Sequence, residues 1–511
     1  MARLHEYQGK AILAANGFKI PRGRAASNAD EAVAAAKELG GEVVIKIQAW
    51  TTGRAGIGGV AFVKKPEDVR AHSERMLSMK LGQFPVEAVL VEEKIDIDRE
   101  FFLSFAIDDA ARVPMIIFGG GGGTGIEERA ASTRRIACNV NHGPLDSAVK
   151  EAVGSCGLSP AHATQLADSI QRLFNAARSV EARSLEINPF VLTKAGEFVA
   201  ADCRITIDDY AVARHPELEI EIAREFDHPP TALEQVAYAV EQNDHRGTFY
   251  FAQLATAAPK GSNGLVGFHG AGGGGSMMSM DAIVNAGFTI ANFTDTSGNP
   301  SASKVYRAAR IILTQPNLVG YFGSGSGVAS QEQYWSAYGM AKAFWELDLD
   351  IPAVIRLGGN TEDRAVDILH RMSKLLRAPV EGYRKTDTPA FIAARFAELV
   401  ESAGGIKWKP RPPRMPKFAR DSSATTLPVK NGRVWLNTAH WPEIRAAVQT
   451  HSGGLIIDRE GAPAAALPSE EFATKDSELL ACDVECRLAG IEGFYLELDI
   501  PGLDELIGGA R

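Results

Sequence analysis

GLVGFHGAGGGGSMMSMDAI (residues 264–283) passes from an apolar run of strand length into a glycine run, and then into a helix that begins at about residue 277. A short apolar run closed by glycine reads as a buried strand, and glycine lets backbone approach a ligand closely. The same unit recurs downstream. Strand 289–293 precedes helix 301–314, strand 318–322 precedes helix 330–347, and strand 351–356 precedes helix 361–376. A short strand near 379–383 then precedes helix 388–403. Five such units predict a doubly wound parallel sheet. Four of its loops are HGAGGGGS (269–276), TDTSGNPS (294–301), GSGSGVAS (323–330) and LGGNTED (357–363). All fall at carboxyl ends of strands, where open α/β sheets bind ligands. Helices starting just beyond them aim N–H groups and positive dipole ends at an anion.

Upstream the pattern changes. Helices at 4–15, 29–39 and 66–79 alternate with strands at 42–48, 60–63, 88–93 and 101–107. Residues 209–230 are polar and punctuated by proline, which marks a domain connection. Before them, strands 185–192 and 198–205 flank Lys194-Ala195-Gly196, a favoured three-residue hairpin loop. That register sets Asn188 across from Asp202, with Glu186 on the same face. An amide oxygen opposite a carboxylate suits Mg²⁺ held jointly with phosphates. Lys46 ends a strand before a loop with glycine at 53, 56, 58 and 59, a cation beside a donor-rich loop that suits nucleotide phosphates. Downstream, residues 406–430 hold five prolines and seven basic residues and read as an extended linker. Residues 431–511 make a small α/β unit: VWLN, a helix at 442–450, LIID, a helix near 474–481, and FYLELD.

The 511 residues carry a formal charge of -9, which argues against a nucleic-acid surface. Five cysteines, an odd and sparse set, fit a reducing compartment and a cytoplasmic location. Cys482 and Cys486 lack a second Cys/His pair, so two thiols on one helix face are expected rather than zinc. No apolar run reaches membrane-span length, and MARLHEYQGK has no signal-peptide pattern. Many of the 50 glycines sit in runs, at 119–123, 272–275 and, alternating with serine, 323–327.

LHEYQGKAILAANGFKIPRG (4–23), VVIKIQAWTTGRAGIGGVAF (43–62), VLVEEKIDIDREFFLSF (89–105), LEINPFVLTKAGEFVAADCRI (185–205) and RLGGNTE (356–362) together resemble the β subunits of succinyl-CoA synthetase and related ADP-forming acid–CoA ligases. The resemblance covers roughly residues 1–405. It implies an ATP-grasp nucleotide domain (1–225) and a flavodoxin-like ligase domain (226–405), before the linker (406–430) and the carboxyl-terminal α/β domain (431–511). It further implies that Lys46, Gly53, Arg54 and Ala55 contact ATP, with Glu92 and Glu100 as hinge and ribose acids and the Ile95 backbone near the base. Asn188 and Asp202 then hold Mg²⁺, and Glu186 and Arg54 stand at the phosphoryl-transfer site. Position 55 is usually glycine in the family.

The ligase domain departs from succinate-specific members. Where they carry asparagine this chain has Ala271, and the stretch AGGGGSMMSMD (271–281) is similar to ATP-citrate lyase and citryl-CoA synthetase. The loop arginine of succinate-specific members is replaced by the run 323–328, so Ala271, Gly325, Ser326 and Gly327 are the expected acid-site residues. The resemblance implies an α-type partner that carries the phospho-accepting histidine and most of the CoA site, in an αβ or (αβ)₂ heteromer. His269 is expected as a loop or structural histidine rather than an internal relay. Three readings stand: a β-type acid–CoA ligase subunit, a citryl-CoA synthetase or citrate-lyase-like subunit, and a nucleotide-binding regulatory subunit without turnover.

Overall fold

The computed structural model describes residues 2–49, 53–122, 133–220, 222, 227–242, 249–325, 329–420, 424–429, 431–444, 446 and 476–508. They fall into two units, residues 1–230 and 231–511.

The first unit opens with α1 (Glu6–Ala15) and then builds two sheets. β1 (Gly23–Ala26), β2 (Val43–Ile47), β3 (Val60–Val63) and β4 (Val89–Glu93) form a four-stranded sheet in the order β1-β4-β2-β3. Val43, Ile45 and Ile47 of β2, with Val89 and Val91 of β4, bury one face beneath α2 (Ala29–Leu39) and α3 (Val69–Leu77). Asn28 starts α2 by accepting from the Glu31 N–H, and Gly40 ends it at φ 70°, a left-handed stop that glycine takes without strain.

The larger sheet is antiparallel. It contains β5 (Ile97–Asp108), β6 (Val113–Gly119), β7 (Thr133–Asn139), β8 (Ala182–Thr193), β9 (Phe198–Ala200) and β10 (Arg204–Ile207). Its central order is β10-β8-β5-β6-β7, with β9 also paired to β8. Strand alternation divides its residues. Phe101, Leu103, Phe105, Leu185 and Ile187 are buried on one face. Leu166, Ile170, Leu173 and Phe174 of a later helix (Pro160–Ser179) are buried too, and Phe174 meets Phe105 edge-on. Each such side chain contributes about 1.5–3 kcal/mol when fully buried. Glu100, Ser104, Glu186 and Asn188 alternate onto the opposite face, and that is where the chemistry collects.

The second unit is a doubly wound sheet. Its strands are β11 (Tyr250–Gln253), β12 (Leu265–Ala271), β13 (Asn292–Asp295), β14 (Leu318–Gly325), β15 (Ala353–Arg356) and β16 (Val380–Tyr383), in the order β11-β13-β12-β14-β15-β16. All pair in parallel except the edge strand β11. From β12 onward this is the flavodoxin-type order, whose strand sequence reverses between β12 and β14. Phe268 and Val266 of β12 pack with Ile283, Ile392 and Phe396, which lie on the helices Gly273–Asn285 and Pro389–Ser402. The helices Ala302–Ile312, Tyr334–Glu346 and Glu362–Ser373 join a second core with Leu265 and Tyr321. The helix expected from about 277 starts four residues earlier, at Gly273, so much of the expected glycine loop is its first turn.

Residues 406–511 lie in the second unit. The expected linker is anchored there rather than extended. Trp408 is fully buried, its indole N–H donates to Leu313 O (2.6 Å), and its backbone pairs with Asn317 and Leu318. Arg411 and Arg414 stack on Trp408 and Trp345 and pair with Asp350 and Asp348, so these basic residues have internal partners. Beyond them, strands Thr425–Val429, Gly432–Leu436 and Phe494–Leu498 form an antiparallel sheet. Helix Asp476–Leu488 packs on Tyr334–Glu346 and Ala302–Ile312. Cys482 and Cys486 are buried in that helix as free thiols. Lys342, between Glu346 (2.7 Å) and Asp483, ties this helix to the ligase core through side chains that are almost wholly buried. The expected LIID strand and most of the expected helix 442–450 lie outside the described residues.

Candidate active site

Six charged side chains meet in the first unit. Glu6 and Lys10 lie one turn apart on the buried face of α1, beside buried Gly9 and Leu13. Lys46 on β2 alternates away from the apolar core of Ile45 and Ile47. Its Nζ lies 2.8 Å from Glu6, 3.0 Å from Glu92 and 2.7 Å from the Ala201 carbonyl. Lys10 reaches both Glu92 oxygens (2.6 and 2.7 Å) and Glu6 (2.8 Å). Arg54 places Nη1 2.7 Å from Glu6 and 3.1 Å from the Ile47 carbonyl, and Nη2 on both oxygens of Asp202 (2.8 and 2.7 Å). Three cations thus face three carboxylates.

The cluster has depth. The side chains of Glu6, Lys10 and Glu92 are 2–3% exposed, whereas Arg54, Lys46 and Asp202 are 12%, 13% and 32% exposed. The inner three hold the outer three, and only the outer three can meet a ligand directly. Burial alone would raise the Glu6 carboxyl, but Lys46, Lys10 and Arg54 outweigh it and hold it well below the carboxylate range. Burial likewise opposes the charge on Lys46, and the carboxylates of Glu6, Glu92 and Asp202 push its affinity for a proton above the ordinary lysine range. Lys46 and Arg54 therefore act as fixed charges, not as proton donors.

The hairpin supplies the next pair. Phe190 pairs with Ala200 on one side and Glu186 with Arg204 on the other, which brackets Asn188 opposite Asp202. The Ala201 N–H donates to the Pro189 carbonyl between them. The second strand is interrupted at 201–203, where one continuous strand was expected, yet the register holds across the break. Asn188 Nδ2 donates to Glu186 Oε1 (3.3 Å), and Asp202 Oδ1 also accepts from the Cys203 N–H (2.7 Å). An amide oxygen and a carboxylate, both hard oxygen donors on paired strands, fit Mg²⁺, which binds through one or two protein ligands and completes its shell with phosphates and water. Among the described residues no cluster of three or more His, Cys, Asp or Glu could hold a metal alone.

The remaining expected contacts divide. Residues 94–96 pass from the four-stranded sheet to the larger one, so half-buried Ile95 sits at a crossing between sheets. Glu100, also half-buried, lies on β5 opposite Val191. Glu92 differs from its expected role: buried, with both oxygens on Lys10, it positions the cations rather than presenting a carboxylate to a ligand. Gly53 and Gly58 take positive φ (66° and 75°), and a Cβ on Gly59 would lie 2.6 Å from Ile47, so this loop requires glycine at those points. Ala55 has no positive φ, and alanine is accommodated there without backbone strain. Sequence reasoning assigned Glu6 and Lys10 no role; their signal was an i,i+4 acid–base pair at the start of an otherwise apolar helix face.

In the second unit, a small cleft opens at the carboxyl ends of β12 and β14, the reversal point of the sheet. Ala271, Thr296, Gly323, Ser324 and Gly325 line it. Ser326 and Gly327 lie outside the described residues. Ser324 Oγ bonds Ser279 Oγ (2.7 Å). Arg356, which sequence reasoning passed over, donates to the carbonyls of Gly325 (3.0 Å), Lys385 (2.9 Å) and Asp387 (2.8 Å), fixing the end of β14. His269 is buried between Tyr321 Oη and Thr296 Oγ1, and burial pushes it down to about 3, so it is a neutral structural histidine. At the start of helix Ala302–Ile312, the Ala302 N–H donates to Ser477 Oγ (3.0 Å) and the Ser303 hydroxyl donates to Asp476. The carboxyl-terminal segment thereby occupies one of the four predicted anion-facing helix ends.

The model of an ATP-grasp domain matches residues 3–192. The chain is 31% identical over 406 residues to the β subunit of ADP-forming succinate–CoA ligase from Rubrobacter xylanophilus, covering 78% of this chain and 99% of that one. It is 33% identical over 371 residues to the β subunit of GDP-forming succinate–CoA ligase from Thermus thermophilus, covering 72% and 93%. The structure of ATP citrate lyase from Methanothrix soehngenii, with citrate and coenzyme A, superposes with a TM-score of 0.63 over 78% of this chain and 99% of that one. At 18% identity that likeness speaks to the fold.

Proposed function

This chain belongs to the family of succinate–CoA ligase β subunits, and from that premise we propose that it is the nucleotide-binding subunit of an ADP-forming carboxylic acid–CoA ligase. The phosphoryl group passes from ATP to a histidine of an α-type partner, and from there to a small carboxylate. The CoA thiol, held mainly on the partner, then displaces phosphate from the acyl phosphate. An αβ or (αβ)₂ heteromer is the expected assembly. Residues 1–225 form its ATP-grasp part and residues 226–405 its ligase part. The unpaired cysteines suit a reducing compartment such as the cytoplasm.

The observation that carries this reading is the layered cluster. Lys46 and Arg54 stand on the buried Glu6 carboxylate toward the outer side of the cluster, beside the Asn188–Asp202 pair. Phosphoryl transfer needs positioning and charge neutralisation more than covalent chemistry, and a prearranged site provides both without reorganising. Lys46 and Arg54 would take the phosphate oxygens, with the backbone of Gly53 and Ala55. Asn188 and Asp202 would hold Mg²⁺, which when bound supplies further neutralisation of phosphate charge. Glu186, on the same face as Asn188, would stand beside the transferring group. Ile95 and Glu100 would meet base and ribose.

A second reading concerns the acid. Ala271 offers no side-chain donor where succinate-specific members place asparagine, and the loop that begins at Gly323 lacks their arginine. A citryl-CoA synthetase or citrate-lyase-like subunit fits these departures. The acid is then held by backbone N–H groups around Ala271, Gly325, Ser326 and Gly327. Acid-dependent ADP release by the chain with its α-type subunit, across succinate, citrate and other small acids, tests both readings. Release with succinate at the lowest KM refutes the departure argument; release with no acid, despite ATP binding, favours a regulatory subunit.

A further inference from the structure

Asp202 is asked to do two things at once. Both of its carboxylate oxygens are held by Nη2 of Arg54, at 2.8 and 2.7 Å, and Oδ1 also accepts from the Cys203 N–H. A cation bonded to both oxygens at these distances takes the side they share, so a divalent ion chelated there must displace it, and one on the far side of Oδ2 meets its charge nearby. The guanidinium and the metal therefore compete for one carboxylate. Arg54 has a second anchor. Its Nη1 lies 2.7 Å from Glu6, which is buried and also holds Lys46 and Lys10.

We propose that Arg54 guards the metal site, with Glu6 as its pivot. Phosphate oxygens draw the Nη2 end of the guanidinium off Asp202 while Nη1 stays on Glu6, and the released carboxylate then accepts the divalent ion beside Asn188. Metal and nucleotide consequently bind as a coupled pair. Linkage makes the coupling reciprocal: whatever factor nucleotide adds to metal affinity, metal adds to nucleotide affinity. The exchange conserves favourable contacts, because the carboxylate trades a guanidinium for a metal and the guanidinium trades a carboxylate for a phosphate. Lys46 does not share this role. It feels the Asp202 charge, but its direct contacts are Glu6, Glu92 and a backbone carbonyl, none of which is an expected metal ligand. The inference rests on the metal assignment made under the proposed function.

The test uses Mn²⁺ in place of Mg²⁺, with the full chain, and reads free Mn²⁺ by electron paramagnetic resonance, with the Mn²⁺–ADP complex that forms without protein measured separately and subtracted. The wild-type chain is expected to bind Mn²⁺ weakly alone and at least about tenfold more tightly with ADP present, a coupling within the usual range. Arg54→Gln is expected to bind Mn²⁺ alone at least about tenfold more tightly than wild type, with most of the ADP effect gone. A removed arginine that improves metal binding cannot be explained by damage to the fold. Equal Mn²⁺ affinity in wild type and Arg54→Gln overturns the proposal. If Arg54→Gln does not fold, Arg54→Lys carries the test, because a single ammonium cannot match the paired contacts of the guanidinium; an unchanged Mn²⁺ affinity there overturns it equally. Asp202→Asn separates the two levels of the argument. If it leaves ADP-dependent Mn²⁺ binding unchanged, the metal assignment itself fails, and the proposal with it.

Discussion

Replacing Lys46 with methionine tests the layered cluster where it matters most. Lys46 Nζ lies 2.8 Å from Glu6 and 3.0 Å from Glu92. At an effective dielectric constant near 20, each contact represents about 5–6 kcal/mol of Coulomb attraction before desolvation is subtracted. Breaking a buried pair typically costs about 3–5 kcal/mol, because a carboxylate is left uncompensated. Lys10 still holds both carboxylates in the variant, which puts the expected loss at the lower end, about 3 kcal/mol. For a unit of 230 residues that corresponds to a fall in Tm of roughly 6–12 °C. The loss should depend on pH in one direction. Glu6 is held far below its ordinary value of 4.5, with Lys46 the leading cation. A carboxylate with a depressed folded-state pKa contributes stability that is present above its unfolded value and lost as pH falls through the folded one. Lys46→Met raises the folded value, so the gap between variant and wild type is widest at neutral pH and narrows only as pH falls through the variant's own folded value. Urea unfolding at pH 7 and pH 4 measures it. Nucleotide affinity, read by titration calorimetry, should fall about 10- to 150-fold, the equivalent of one charge-assisted hydrogen bond. A loss below about 1 kcal/mol, a gap that widens in acid, or unchanged nucleotide affinity refutes the cluster as drawn.

Three further outcomes are expected. Asp483→Ala leaves Lys342 with Glu346 alone, strips Arg487 and the Leu496 N–H of their bonds to Asp483, and should destabilise the second unit by about 3–5 kcal/mol in thermal unfolding. His269 is neutral and pushed down to about 3 by burial, so the unfolded chain binds its proton first. Stability should therefore decline by up to about 1.4 kcal/mol per pH unit between about 6.5 and 3, a slope that His269→Asn flattens. Ser477→Ala should cost about 1 kcal/mol in denaturant unfolding through the lost bond to the Ala302 N–H.

The doubly wound sheet was legible because its strands are buried on both faces and read as apolar runs, and because glycine and polar loops separate them. The hairpin register was legible too: a three-residue loop fixes which residues face each other, and Asn188 meets Asp202 even where the second strand breaks. The carboxyl-terminal segment was not. Lys342 and Glu346 are spaced i,i+4, a pattern that ordinarily marks a solvated helix face, yet they are buried by a segment some 140 residues away. The prolines and basic residues of 406–430 read as a linker because nothing local shows that Trp408 and its neighbouring arginines have partners on the ligase core. Glu6 and Lys10 were hidden for the same reason. Their burial comes from Lys46, Glu92 and Arg54, all distant in sequence, and only the folded chain brings them together. Glu92 was assigned to a ligand by the family resemblance alone, and nothing local in the sequence shows that Lys10 and Lys46 take its carboxylate.

The central claim is that Asp202, beside Asn188, supports phosphoryl transfer from ATP to an α-type partner. The most direct measurement is the transfer of label from γ-labelled ATP to that partner's histidine, by the wild-type chain and by Asp202→Ala, with circular dichroism confirming the fold of both. The account predicts a labelled partner with wild type and none with Asp202→Ala. A partner that remains unlabelled although wild type binds ATP, or one that is labelled equally by Asp202→Ala, contradicts it.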